Sequence, residues 1–238
     1  MLIVQHADDC PPGWYDEWLR AGGLELDVVR GHRGEHIPTD LGGYDGLVVL
    51  GGEMGAYDDA DHPWLTATKA LIATTIRAGQ CFLGICLGHQ LAAVALGGEV
   101  VQNPRGHATG LTPVRLTPAG RDDLLLGPTR PDALTIQWNN DVVSRLPPGA
   151  IELATSPDGA VQAARFARRA WGVQFHPEAS PEIFDGWTVA KESPERADGI
   201  DVQEVAAAIA VAEPALRGDW APLARRFAEL ARAHIPVL

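Results

Sequence analysis

The sequence predicts an α/β protein built on a mostly parallel sheet covered by helices, with an additional small antiparallel region. Three observations carry this. In the first half, short apolar runs alternate with longer amphipathic stretches, the pattern of buried strands and covering helices. Beyond Gly98 the segments shorten and fill with β-formers, which suits mixed or antiparallel strands. From Pro181 onward the chain reads as mostly helical.

Residues 2–7 are the first expected strand, residues 14–21 a helix closed by Gly22-Gly23, and residues 24–29 the second strand. Residues 31–43 read as loop. Leu47-Val48-Val49-Leu50 is a continuous apolar run stopped by Gly51-Gly52, which fits a strand buried on both faces. A loop rich in Gly and Asp follows. Pro63 precedes a helical run over residues 64–78 that Gly79 ends, and residues 81–85 form the next buried strand. A helix then runs from about Leu87 to Gly97-Gly98. Further strands are expected over residues 100–102, 110–116, 133–138, 151–154, 161–166 and 171–175, and the clearest later helices over 202–213 and 220–233. With no repeat, linker or boundary in view, one domain is expected over residues 1–238: a catalytic core of about 1–180 and a helical extension of about 181–238.

A chain of 238 residues suits one large α/β domain, and 46% hydrophobic with 21% charged residues is ordinary for globular proteins. Acidic residues outnumber basic ones 31 to 19, and a net charge of −12 repels phosphate backbones and anionic lipid. Neither nucleic acid nor membrane is therefore an expected partner. Met1 to His6 lacks the basic and long apolar runs of a signal peptide, so a cytoplasmic location is expected. Cys10, Cys81 and Cys86 form no Cys-x-x-Cys metal signature, and each is judged as a free thiol.

Gly84-Ile85-Cys86-Leu87-Gly88 joins a buried strand directly to a helix, with a glycine two positions either side of the thiol. That is what a sharp nucleophile elbow needs sterically, with cysteine in place of serine. Such a turn lifts the sulfur to the carboxyl end of the sheet and to a helix N-terminus, whose dipole and free N–H groups favour thiolate. Alone, Cys86 reads as a small buried thiol.

Its company changes that reading. His176-Pro177-Glu178 follows an expected strand, so His176 can exchange protons with the thiol and Glu178 can fix the imidazole tautomer. Gly51-Gly52 ends a neighbouring buried strand, and one of its N–H groups, with that of Leu87, suits an oxyanion hole. A plain glycine turn is the alternative there.

Gly84-Ile85-Cys86-Leu87-Gly88-His89-Gln90, followed by Gln174-Phe175-His176-Pro177-Glu178 and preceded by Gly51-Gly52, resembles the class I glutamine amidotransferases, and most closely stand-alone glutaminases of the GMP synthase kind. The resemblance spans about residues 1–180. It implies a flavodoxin-like, doubly wound sheet and a Cys86-His176-Glu178 triad that attacks the side-chain amide of L-glutamine. Cys86 would form a γ-glutamyl thioester, release ammonia and be freed by water. Gly52 and Leu87 would be the oxyanion donors, while Gly51 and Gln90 would contact the substrate. No cofactor or metal is implied. The ammonia would pass to an acceptor, such as a synthetase subunit in trans, since the chain has no Gly-x-x-x-x-Gly-Lys-Ser/Thr loop.

Two other readings keep the same residues. One is a hydrolase of γ-glutamyl amides in peptides or polyamine conjugates; the other is a non-catalytic regulatory subunit. Two departures from the family pattern stand out: Glu53 where many relatives have proline, and Trp138-Asn139-Asn140-Asp141 where Trp-His is common. Glu53 must then point away from a developing oxyanion.

His89 lies three residues beyond Cys86, roughly 300° around a helix, and is expected to pack rather than react. His32 and His36 have metal-pair spacing, but Gly31, Gly34 and Pro38 argue against the helix such a pair needs. Cys81 is expected in the core and Cys10 in a loop. Asp58, Asp59 and Asp61 read as a solvated, helix-capping loop.

Overall fold

A computed structural model describes residues 1–188 and 199–233. In chain order, β1 (Leu2–Gln5) leads through α1 (Trp14–Ala21) to β2 (Asp27–Arg30) and a 3-10 turn at Gly31–Arg33. Next come β3 (Gly46–Val49), α2 (Trp64–Arg77), β4 (Cys81–Ile85) and α3 (Leu87–Ala95). The middle of the chain holds β5 (Glu99–Gln102), β6 (Ala108–Pro113), β7 (Arg115–Leu116) and the single turn α4 (Pro118–Arg121). There follow β8 (Leu134–Asn139), β9 (Asp141–Arg145), β10 (Ile151–Thr155), β11 (Val161–Ala167) and β12 (Ala170–Val173). Two helices, α5 (Pro181–Thr188) and α6 (Val202–Arg232), close the described chain.

The central sheet has eight strands in the order β2-β1-β3-β4-β12-β11-β10-β7. Its first five strands are mutually parallel, and the last three are antiparallel to their neighbours. Two antiparallel pairs, β5 with β9 and β6 with β8, form the small additional sheets. Side chains along a strand alternate between faces. Accordingly Ile3, Val48, Leu83 and Ile85 pack into a core with α1, α5 and α6. Leu2, Val4, Leu47, Val49 and Phe82 pack on the other face with α2 and α3. Burial on both faces is why these strands read as unbroken apolar runs.

Several boundaries differ from the expectation. The second strand opens at Asp27 and not at residue 24, because Asp27 is the residue paired with Leu2 of β1. The expected strand over 110–116 divides at Val114 into β6 and β7, which belong to different sheets. β9, hidden behind the polar run Asn139-Asn140-Asp141, was not expected and is held by β5. The last strand ends at Val173, although the Gln174 N–H still donates to the Gln162 carbonyl of β11 at 2.9 Å.

The two expected C-terminal helices are one helix of 31 residues that runs through Pro214 and Pro222. Each proline removes a helical N–H and crowds the preceding turn. Burial of Ile209, Leu216, Trp220, Leu223 and Phe227 in one core holds both halves in line nonetheless. Asp201 caps the helix through the Gln203 and Glu204 N–H groups, and Trp220 Nε1 donates to the Leu134 carbonyl at 2.8 Å. The helical extension thus covers the sheet, with Arg217 over the rings of Trp14 and Trp18.

Candidate active site

Cys86 sits between β4 and α3 with φ 50 and ψ −107, a region that non-glycine residues enter only under strain. Its N–H donates to the Val173 carbonyl at 2.8 Å, so β12 clamps the turn. The flanking glycines are obligatory. A Cβ on Gly84 would lie 2.5 Å from the Gly88 carbonyl carbon, and one on Gly88 would collide with the Val49 carbonyl. The elbow is therefore pressed between its two neighbouring strands.

Register brings the other residues to it. β4 pairs with β12 so that Ile85 lies opposite Val173, and with β3 so that Gly84 lies opposite Val49. Chain leaving the carboxyl ends of all three strands therefore emerges side by side, where open α/β sheets place their ligands. Gly51 comes from β3, Cys86 from β4 and His176 from β12. A Cβ on Gly51 would lie 2.9 Å from His176 Cε1 and 3.6 Å from Cys86 Cβ, a measure of how closely the three meet.

His176 Nδ1 and Glu178 Oε1 are 2.8 Å apart, with both side chains only 3% exposed. His176 Nε2 has no hydrogen-bond partner among the described residues. Burial alone would lower the His176 pKa, but the Glu178 carboxylate and the Cys86 sulfur outweigh it and hold the imidazole up at about 10. The Trp187 ring covers His176 with centroids 4.6 Å apart. Glu178 is anchored by its backbone, whose carbonyl accepts from the Trp14 N–H at 2.9 Å. Gly13, at φ 54, permits this, since a Cβ there would collide with that carbonyl.

Gln90 reaches the site from α3, and its Nε2 donates to the Asp141 carbonyl at 3.0 Å and to Gln174 Oε1 at 3.3 Å. Gln174 in turn donates from Nε2 to Cys86 Sγ at 3.7 Å. Sequence reasoning gave Gln174 no role. Its signal was the motif itself, since Gln174 stands two residues before His176 and falls just past the end of β12. The N–H of Leu87, first in α3, has no partner within its own helix. Gly52 borders the same cavity as Cys86 and Gln90.

That cavity holds about 510 Å3. Glu53 is exposed on its wall, while the side chain of Asn139 is buried and its Nδ2 donates to the same Asp141 carbonyl at 3.1 Å. Cys10 also lines it, and burial, then the Asp9 charge, pushes the Cys10 thiol well up. Cys81 lies in the core, its thiol pushed by burial to about 12.

The remaining candidates lie elsewhere. His89 is fully buried against the Phe166 ring, 5.5 Å between centroids, and burial lowers its pKa to about 3. His32 contacts Asp8 at 2.7 Å from the 3-10 turn, while Gly34 at φ 78 breaks the helix that would align it with His36. Asp59 pairs with Lys69 at 2.6 Å and Asp58 accepts from the Gly55 N–H at 2.7 Å. Among the described residues no helix is long and apolar enough to cross a membrane.

A mostly parallel sheet whose strand-to-helix elbow presents a cysteine beside a buried His–Glu pair is the layout of an elbow-type α/β enzyme. The model of the family described as glutamine amidotransferase class-I matches residues 15–192, about three quarters of the chain. The chain belongs to the class I glutamine amidotransferases, a family generally of glutamine-hydrolysing enzymes with a cysteine nucleophile. It is 33% identical to gamma-glutamyl peptidase 5 of Arabidopsis thaliana over 68% of this chain and 64% of that one. It is 33% identical to the glutamine-hydrolyzing GMP synthase of Aeropyrum pernix over 74% of this chain and 31% of that protein, so it spans about a third of that relative's length. The crystal structure of a glutamine amidotransferase of Thermotoga maritima superposes with a TM-score of 0.84 at 28% identity, covering 96% of this chain and 97% of the other.

Proposed function

We propose that the chain hydrolyses the side-chain amide of L-glutamine, with Cys86 as nucleophile, His176 as proton carrier and Glu178 as the acid that orients it. The observation that carries this reading is the buried 2.8 Å contact of His176 Nδ1 with Glu178, which leaves Nε2 without a partner beside a strained cysteine. A tautomer fixed at Nδ1 is one whose Nε2 can hold or release a proton at the reacting atoms.

In this mechanism the thiolate of Cys86 attacks the γ-amide carbon, and the N–H groups of Gly52 and Leu87 hold the developing oxyanion. The C–N bond breaks as His176 Nε2 gives its proton to the departing ammonia, leaving a γ-glutamyl thioester. Water then gives a proton to His176 and its oxygen to the thioester carbon. The C–S bond breaks, and glutamate leaves. The raised His176 pKa suits the first step, because the acid must be charged before the amine departs. Gly51 and Gln90 contact the substrate. Gln174, bridging Gln90 to the sulfur, is a positioning residue that couples substrate binding to the nucleophile. The released ammonia passes to a separate acceptor, and the likeness to a glutamine-hydrolyzing GMP synthase favours a synthetase partner for that role.

The test is release of glutamate and ammonia from L-glutamine by the purified chain and by Cys86→Ala. The variant is expected to lose on the order of 10³-fold or more in turnover while keeping its fold. Near-normal turnover by Cys86→Ala would overturn the mechanism. A second reading, with a γ-glutamyl conjugate as substrate, is favoured by the likeness to gamma-glutamyl peptidase 5.

A further inference from the structure

His176 has to keep its Nε2 at the reacting atoms while a proton comes and goes. The outer torsion of a histidine is broad, so neighbours and not a rotamer well set the tilt of the imidazole. Two of those neighbours meet it on one side. Glu178 Oε1 lies 2.8 Å from Nδ1, and the Gly51 backbone is so near that a Cβ there would stand 2.9 Å from Cε1. Trp187 supplies a third contact, with ring centroids 4.6 Å apart and planes at 55°.

Trp187 is itself braced from several segments. Its Nε1 donates at 2.8 Å to the carbonyl of Asp9, in the chain between β1 and α1. Its ring meets that of Trp138 in β8 at 6.3 Å and that of Phe184 in α5 at 6.0 Å, both separations at which aromatic pairs attract. Trp187 is only 5% exposed, yet it lines the cavity together with Cys86 and His176. A reacting group is held to within about half an ångström by neighbours whose own side chains are locked in this way. An indole ring also favours a cation beside it, and by excluding water it strengthens the attraction between His176 and Glu178.

We propose that Trp187 is a positioning residue of the amidase reaction: its indole fixes the tilt of the His176 imidazole, so that Nε2 stays at the reacting atoms, and shields the charged ring from water. This rests on the amidase reading above and leaves its chemistry unchanged. Trp187 acts through His176 and takes no part in the proton transfers.

The experiment measures kcat and KM for L-glutamine with the unsubstituted chain, Trp187→Leu and Trp187→Phe. Trp187→Leu is expected to lose about tenfold or more in kcat with KM within about threefold, because a misplaced proton carrier slows the chemistry more than it weakens binding. Trp187→Phe keeps a ring beside the imidazole and is expected to recover to within about threefold of the original kcat. A residue that only filled the core would cost stability and leave kcat unchanged. Trp187→Met fills the volume without a ring, carries the same expectations as Trp187→Leu, and decides the matter where Trp187→Leu does not fold. A second arm needs no turnover. It follows the low-field proton NMR resonance of the His176 Nδ1–H, assigned by its absence from His176→Gln. The resonance is expected to be sharp in the unsubstituted chain and in Trp187→Phe, and broadened by exchange with water in Trp187→Leu. If L-glutamine is not turned over at all, the amidase reading fails and this arm alone decides the role of Trp187. A folded variant without a ring whose kcat stays within about twofold of the original would overturn the proposal. So would a resonance as sharp in that variant as before, or none in the unsubstituted chain.

Discussion

Cys86 combines the chemistry of the site with the strain of the turn. Its φ of 50 is held by Val173 and by the close contacts of Gly84 and Gly88, so the fold maintains a conformation that a side chain opposes. Strain of this kind is worth about 1–3 kcal/mol. Cys86→Gly is therefore expected to be more stable to denaturant than Cys86→Ala by that amount less the cost of glycine's freer unfolded chain, and both are expected to be inactive. Equal midpoints would mean that the elbow is unstrained. His176 carries a second consequence. Its folded pKa, about 10, lies above the ordinary 6.5, so its contribution to stability is complete below 6.5 and lost as pH rises through about 10. Glu178→Gln removes the neighbouring charge. The melting temperature of the unsubstituted chain should therefore fall relative to that of Glu178→Gln as pH is raised from 6 to beyond 10. A constant difference across that range would contradict the charge pairing.

The parallel strands and their helices were legible in the sequence because β1, β3 and β4 are buried on both faces, with β3 stopped by Gly51-Gly52 and β4 preceded by Gly79. The smaller pairs were harder to read. β9 shows its apolar face only in Val142 and Val143, and its partner β5 buries only Val100, so neither has a long period to detect. Helix α6 was legible in parts, since the buried stripe that carries it past Pro214 and Pro222 is a property of its neighbours. The elbow was fully legible, because Gly-x-Cys-x-Gly between strand and helix states a steric requirement. Gly88 makes that requirement testable. A methyl there would enter the Val49 carbonyl, and Gly88→Ala is expected to cost at least about 1–3 kcal/mol by urea unfolding. A midpoint within error of the original would mean that β3 and α3 are less tightly packed than described.

Across the whole molecule, the site collects chain from widely separated segments. Asp9 and Cys10 follow β1, Glu53 and Asp58 follow β3, Asn139 and Asp141 flank the turn between β8 and β9, and His176 and Trp187 come from beyond β12. The elbow cysteine and the His–Glu pair could be read from two motifs, but the four carboxylates on the cavity wall could not, because they share no local pattern. The same holds for Gln174, whose bond to Cys86 depends on the register of β12 with β4. The three cysteines, similar as sequence, are separated by the fold into a core residue, a wall residue and an elbow residue. The most direct measurement of that distinction is peptide mass spectrometry after reaction of the folded chain with a diazoketone analogue of glutamine. One adduct is expected, on Cys86, suppressed by L-glutamine and absent from Cys86→Ala. An adduct on Cys10 instead, or a Cys86 left unmodified in folded protein that still turns over glutamine, would contradict it.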